Sequence, residues 1–490
     1  MSALAEGDQF LFDPASACAE SRRAQLAWGW TSVSARLQVI RRFRLMLAEQ
    51  AGSVASFAVG ESRRSIGEIL SAEIIPLADA CRFLERRAEK LLSVRRVGRV
   101  GRPLWLGGVK AFVRREPFGL VLVVAPSNYP LFLPGVQVLQ ALTAGNAVLL
   151  KPGPSGAPAC NELARLLNAA GLPASLLRVL PELPESVHAA IQAGVDKVFF
   201  TGSAHTGVKI LAELAPRAVP SAMELSGCDA AIVRADADLD LAVRALTFGL
   251  RLNSGRTCIA PRRVYVTRSV ATEFEGRLAQ ALSTCSPVTI EPSLQQRLMP
   301  LLLQALSPGA HLLAGEIQRD GRIMGPVVVA GAKPGLSLLR EDIFAPLLTV
   351  LTVADDEEAV ALSNDCPYAL GATIFSRDEH QARALATRLN AGVVIINDLI
   401  APTADARLPF GGRKLSGFGL TRGPEGLLEM TTTKVVIERR GKARPHYAPP
   451  HPADADLFQQ YLTLAHGRNW RQRLASLRKI LVNVARRKNS

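Results

Sequence analysis

The residue best placed by type to do chemistry is Cys258, in the stretch NSGRTCIAPRRV, residues 253–264. A thiol attacks as its thiolate, and nearby cations favour that form. Arg256 and Arg263 flank it, and Gly255 opens the approach. A lone cysteine is also a small buried hydrophobe, and that reading fits the other six: Cys18, Cys81, Cys160, Cys228, Cys285 and Cys366. No C-x-x-C pair occurs, which argues against a disulfide scaffold and for a reducing compartment. No histidine follows at a cysteine-protease spacing, and the seven histidines lack ligand spacing, so no metal site is expected.

Glu224 interrupts the apolar run SAMELSG. A carboxylate there either pairs with an arginine or serves as a general base with a raised pKa. In FTGSAHTG, residues 200–207, a strand ends and a helix opens. Helix-start amides with Ser203 could hold a pyrophosphate. The spacing is neither G-x-G-x-x-G nor a P-loop, so a plain glycine turn accounts for it as well.

These residues need a frame. The run GLVLVVAP suits a parallel strand buried on both faces. LPGVQVLQALTAGN then reads as a helix, AVLLKP as a strand, ACNELARLLNAAG as a helix and LLRVLP as a strand. SVHAAIQAG, KVFFTGS, TGVKILAELAP and SAMELSG continue the alternation, which predicts a doubly wound parallel sheet. Ligands of such sheets sit at the carboxyl ends of the strands, where Asn128, Lys151, Ser203 and Glu224 fall. A second α/β segment starts near Asp229, with AAIVRAD, a helix over DLDLAVRALTFGLRL, and strands RRVYVT, APLLTVLTV and AGVVIIND. The first ninety residues read as helical, including EIIPLADACRFLERRAEKLL as one run. No internal repeat is apparent.

In order, PFGLVLVVAPSNYP, AVLLKP, VFFTGSAHTG, MELSG, SGRTC, EDIFAP and LPFGGRKLSGFG resemble the aldehyde dehydrogenase superfamily over roughly residues 22–440. APSNYP and CIAPRRV are most similar to its shorter fatty- or aromatic-aldehyde branch. The resemblance implies an α/β fold with a Rossmann-type cofactor domain, an α/β catalytic domain and a small β oligomerisation arm. It implies N-terminal helices over residues 1–92, the arm in 93–115 and 425–440, the dinucleotide domain in 116–225 and the catalytic domain in 226–424. It makes Cys258 the nucleophile, Glu224 the general base and Asn128 the oxyanion-hole amide. Lys151 would bond the adenosine ribose, Gly202, Ser203 and Gly207 the pyrophosphate, and Asp342 with Phe344 the nicotinamide ribose. The cofactor would be NAD or NADP, the partner a small-molecule aldehyde, and the assembly a homodimer or homotetramer. By the same resemblance, a retained Glu224 implies release of a free acid. An acylating or reductive acyl-CoA enzyme is the rival within the fold.

Arg256 replaces the family's usual glutamine, Ser226 a glycine, and Asp342 a glutamate. These three changes give some weight to a catalytically slack scaffold. Pro154 stands where NAD-preferring relatives carry an acid that repels a 2′-phosphate, which implies tolerance of NADP.

The 490 residues, 48% hydrophobic and 21% charged, describe a globular protein of two or three domains. Residues 117–150 carry no charge, but prolines, glycines and asparagines divide them into pieces too short to span a membrane. The N-terminus lacks the basic-then-apolar pattern of a signal peptide, so a cytoplasmic location is expected. The net charge of +15 fits a basic face; no nucleic acid is expected as partner. Residues 441–490 form a basic extension, Pro-rich at first, then helical with Leu474, Leu477, Leu481 and Val484 on one stripe. Arg471, Arg473, Arg478, Lys479, Arg486, Arg487 and Lys488 surround the stripe. Two readings stay open: a helix docked on protein, or one lying on an anionic membrane.

Overall fold

The computed structural model describes residues 13–59, 64–306, 309–442, 444–447 and 449–488. The stretch read for a signal peptide falls largely outside these, as do the side chains of Arg486, Arg487 and Lys488. By contacts the chain divides into two units: residues 1–93 with 115–432, and residues 94–114 with 433–490.

The first unit carries two sheets. Strands β1 (Leu120–Val124), β2 (Ala147–Lys151), β3 (Leu177–Val179), β4 (Lys197–Gly202) and β5 (Ser221–Leu225) are parallel, in spatial order β5-β4-β1-β2-β3. Helices α1 (Phe132–Ala144), α2 (Ala157–Ala169), α3 (Glu185–Ala193) and α4 (Ala204–Leu214) make the crossovers. The chain winds one way from β1 to β3, then the other way through β4 and β5. The crevice therefore opens between the ends of β1 and β4, where the order reverses. Every residue of β1, β2 and α1 is buried, the physical outcome of the uncharged run noted above. The helices Pro14–Trp30, Val33–Glu49 and Ile75–Leu92 share one hydrophobic core with this sheet. EIIPLADACRFLERRAEKLL is not a single α-helix: Leu70–Ile74 forms a π-helical turn before Ile75–Leu92 begins. That turn directs Glu73 inward.

The second sheet has eight strands, with β6 (Asp229–Val233) and β7 (Pro261–Thr267) side by side at its centre. Helix α5 (Leu239–Arg251) joins them and turns its apolar face onto the sheet core.

Two expectations need correction. The strand Gly417–Phe418, within the presumed catalytic segment, joins the first sheet antiparallel to β5, with Gly417 opposite Glu224. Gly417 has φ 98°, and a Cβ there would overlap the carbonyl of Met223, so only glycine permits the approach. Residues 425–429, expected in the arm, belong to helix α6 (Gly423–Glu429) of the first unit. The packing explains this: Leu427 and Met430 are buried in the first core, and Asn146 Nδ2 donates to the Met430 carbonyl at 2.9 Å.

Most of a three-stranded sheet lies in the second unit, in the order Arg95–Val97, Val109–Pro117, Thr431–Arg439, with the first two strands antiparallel. After it come helices α7 (Asp454–His466) and α8 (Trp470–Lys488), packed on each other as a hairpin. Asn483 Nδ2 donates to Asp456 at 2.6 Å and Arg473 Nε to the Leu464 carbonyl at 2.7 Å. The sequence pattern shows α8 but not α7.

Candidate active site

Cys258 follows α5 by a tight 3₁₀ turn, Leu252–Gly255. Asn253, Ser254 and Gly255 all have positive φ, at 49°, 53° and 73°. Such runs are sterically costly and persist only where surroundings enforce them. Here they do. Asn253 Nδ2 donates to the Asn128 carbonyl at 2.8 Å, and the Asn253 N–H to Glu68 at 2.9 Å. The buried Arg262 guanidinium bonds the carbonyls of Gly255 and Ala345, at 2.7 and 2.9 Å. A Cβ on Gly255 would lie 2.5 Å from Pro346.

The loop after β1 meets this turn. Asn128 Nδ2 donates to the Arg256 carbonyl at 2.9 Å, and the Tyr129 and Thr257 hydroxyls bond at 2.7 Å. Glu73 secures the loop from behind, accepting from the amides of Leu131 and Phe132 at 2.8 and 3.0 Å and pairing with Arg64. Tyr129, Leu131 and Phe132 are core residues.

Glu224 lies near the end of β5, 5% exposed. Its Oε2 accepts from the Thr421 hydroxyl at 3.0 Å, and Oε1 has no protein partner. Burial raises its pKa, against the opposing pull of Arg422 and Thr421. Cys258 is half-buried. Burial raises its thiol above the ordinary range, Glu224 and Asp229 push the same way, and Arg422 opposes.

The arginines named from sequence are not the relevant cations. Arg263 points within the second sheet and bonds the Cys228 carbonyl and Tyr265 hydroxyl, because alternation along β7 sends it away from Cys258. Arg256 pairs with Glu291 at 3.5 Å. Arg422, which no spacing in the sequence marks, is buried, donates to the Thr403 carbonyl and stacks over Phe410.

One cleft of about 520 Å³ is lined by Cys258, Glu224 and Asn128 together with Lys151, Gly202, Ser203, Asp342 and Phe344. Gly207 stands apart: it is buried in α4, and a Cβ there would lie 2.6 Å from Leu225. Its role is close helix–strand packing. Ser203 caps α4, accepting from the Thr206 N–H at 3.2 Å, so the free amides of that first turn face the cleft beside Gly202. Lys151 ends β2, and burial lowers its pKa. Asp342 Oδ1 is buried without a partner; burial raises this acid, with the Ser226 hydroxyl and Arg262 opposing. The Ser226 hydroxyl donates to the Gly202 carbonyl at 3.3 Å, so this departure from the family pattern ties the end of β5 to the glycine turn. An unpartnered carboxylate oxygen, helix-start amides and a lysine along one cleft suit a ribose-and-pyrophosphate ligand.

The aldehyde dehydrogenase family model matches residues 11–436. The chain belongs to the aldehyde dehydrogenase family. A 4,4'-diapolycopene aldehyde oxidase from Methylomonas sp. is 32% identical over 460 residues, 91% of this chain and 86% of that protein. A putative NADP(+) succinate-semialdehyde dehydrogenase of Mycolicibacterium smegmatis is 31% identical over 470 residues, covering 92% and 89%. The NADP-dependent glyceraldehyde-3-phosphate dehydrogenase of Bacillus halodurans, solved with NADP, superposes with TM-score 0.78 at 28% identity, covering 87% of this chain and 91% of that one. This aldehyde dehydrogenase is an enzyme that oxidises an aldehyde with NAD or NADP.

Proposed function

We propose that Cys258 is the nucleophile, Glu224 the base and Asn128 an oxyanion donor in oxidation of an aldehyde to a free carboxylic acid. The convergence of these three side chains on one cleft, from three separated segments, carries the reading. Cys258 Sγ adds to the aldehyde carbon as its proton passes to a base. The Asn128 amide and the Cys258 backbone N–H receive the developing oxyanion; one such donor contributes ~3 kcal/mol in comparable sites. Bound NAD(P)+ supplies the hydride acceptor. With the carbon–hydrogen bond's electron pair gone, Cys258 carries a thioester. Glu224 takes a proton from water, hydroxide adds to the acyl carbon, and the thiolate leaves. The sum is aldehyde, NAD(P)+ and water giving carboxylate, NAD(P)H and two protons. Lys151, Gly202, Ser203, Asp342 and Phe344 would hold the dinucleotide. A panel of aldehydes followed by nicotinamide absorbance tests the reading, and dependence on coenzyme A would overturn the free-acid outcome.

Three finer assignments accompany it. Pro154 lines the cleft near Lys151, and the chain is similar to NADP-named proteins, which supports use of both cofactors. The arm strands of the second unit are read as an oligomerisation surface, checked by light scattering. The substrate is read as a large apolar aldehyde met at an anionic membrane. Similarity to a protein named for 4,4'-diapolycopene aldehyde supports this. So does the exposed apolar series Phe458, Leu462, Trp470, Leu474, Leu477 and Leu481 on α7 and α8, with cationic neighbours along α8. Among the described residues no helix is long and apolar enough to cross a membrane, so the contact would be peripheral. Sedimentation with anionic liposomes, with and without residues 441–490, decides it.

A further inference from the structure

Glu224 is held at one oxygen only. Among the described residues its one hydrogen-bond partner is the Thr421 hydroxyl, 3.0 Å from Oε2, while the buried Oε1 has none. Thr421 is itself buried, and its backbone is fixed. Its N–H and its carbonyl each bond Phe410 at 2.7 Å, and the Arg422 guanidinium stacks 4.1 Å over the Phe410 ring. Four residues before Thr421, Gly417 pairs with Glu224 of β5, and a Cβ on Gly419 would lie 2.6 Å from Ala222. The loop therefore cannot slide along β5 without moving Thr421. A threonine side chain is stiff at χ1, so a fixed backbone fixes the hydroxyl. That hydroxyl has one hydrogen and two acceptors in reach: Glu224 and, at 3.3 Å, the Phe410 carbonyl.

We infer that Thr421 is a positioning residue for the general base: its hydroxyl anchors Oε2 of Glu224, so that Oε1 is the oxygen that takes the proton from water. When Glu224 is ionised, Thr421 donates to Oε2. When Oε1 carries the proton, Oε2 is still an acceptor and the bond persists. The carboxyl group keeps one orientation while a water O–H bond breaks, an O–H bond forms at Oε1 and hydroxide adds to the acyl carbon. Without the anchor the carboxyl group can rotate, and a bond that favours its ionised form is lost. The inference rests on the proposed role of Glu224.

No neighbour duplicates the anchor. The charged or titratable groups near Glu224 are Cys258, on the same cleft, and Arg422, next to Thr421 in the chain. Cys258 carries the acyl group during hydrolysis, and Arg422 donates to the Thr403 carbonyl. On the flanking strands Thr201 of β4 and Gly417 stand opposite Glu224, so neither adds a charge.

The test is rapid mixing of the full chain and NADP+ with an aldehyde that it oxidises, over a pH series, reading the first turnover of NADPH and the steady rate that follows. Thr421→Val keeps the shape of the side chain and removes the hydroxyl. The first turnover precedes hydrolysis and should be retained. The steady rate at neutral pH should fall about tenfold, with thioester on Cys258 detected by peptide mass. The acid limb should move up by about one pH unit, because a carboxylate that loses its donor ionises at higher pH. Thr421→Ser, which keeps the donor, should recover both. If Thr421→Val does not fold, Thr421→Ala removes the same hydroxyl and is read against Thr421→Ser in the same way. A folded Thr421→Val whose acid limb does not move, or a Thr421→Ser as impaired as Thr421→Val, overturns the inference. A Glu224→Gln variant that hydrolyses the thioester at the parent rate would instead overturn the reading on which it rests.

Discussion

The two units of this chain differ in charge and in what they do with apolar side chains. The second unit holds 19 lysines and arginines against 3 acidic residues, and the rest of the chain 39 against 40. The whole excess of +15 therefore has its source in the second unit. The first unit gathers its apolar side chains into buried clusters around two sheets. The helices of the second leave Phe458, Trp470 and Leu481 about three-fifths exposed. Arginines of the first unit are largely committed: Arg262 to carbonyls, Arg64 to Glu73, Arg22 to Asp196. Chemistry needs charges fixed in low dielectric, where a single group is decisive. Attraction to an anionic surface needs many mobile, hydrated charges, each contributing about 1 kcal/mol near the lipid. A net charge quoted for the whole chain averages these two uses and conceals both.

The largest effects should separate the units cleanly. Cys258→Ala is expected to lower aldehyde-dependent NAD(P)H production by at least about a thousandfold. Liposome sedimentation should not change. Asn128→Ala should lower kcat by about a hundredfold or more, in line with loss of an oxyanion donor, with cofactor binding retained in a fluorescence titration. Deleting residues 441–490 is expected to abolish sedimentation with anionic vesicles. Turnover of a small soluble aldehyde should stay within about twofold, since surface changes remote from a site have small effects. Retained sedimentation after the deletion would remove the membrane reading. In the intact protein, binding should weaken steeply with salt, because these charges are exposed.

A subtler effect concerns pH. Glu224 must be ionised to take a proton from water, and burial raises its pKa. As pH falls, its activity is lost at a higher pH than an ordinary carboxylate would give. This acid limb should be absent from the residual rate of Glu224→Gln, in which hydrolysis of the acyl-enzyme should be slow enough for the thioester to be detected by mass spectrometry. The smallest expected difference is between cofactors: kcat/KM for NAD and NADP should lie within about a hundredfold of each other. A wider preference for NAD would point to an acid elsewhere near Lys151 acting against the 2′-phosphate. Glu182 is such a residue, tied to the amides of Ser155 and Ala157 at 3.0 and 2.6 Å.

Much was legible before any coordinates. The uncharged runs of β1, β2 and α1 announced elements buried on all sides, because only fully covered strands and helices can do without polar faces. Glu224 was conspicuous as the one acid in an apolar strand, and the order of seven segments indicated the family. Other features were not legible. Gly207 reads as part of a phosphate turn, yet one turn of helix rotates it from the cleft onto Leu225. Arg263 reads as a neighbour of Cys258, yet strand alternation points it elsewhere. Residues 425–429 read as the approach to a strand, yet Leu427 and Met430 find the first core.

Local composition and periodicity determined the elements, their order and which polar residues stand at their ends, since those depend on burial over a few neighbouring positions. Tertiary structure alone decided which charge faces which. The Thr421 hydroxyl comes to the Glu224 carboxylate from 197 residues away along the chain. No spacing rule spans that distance. Coulombic interaction depends on separation through space and on the water excluded between the groups, and neither is set until the two sheets have folded.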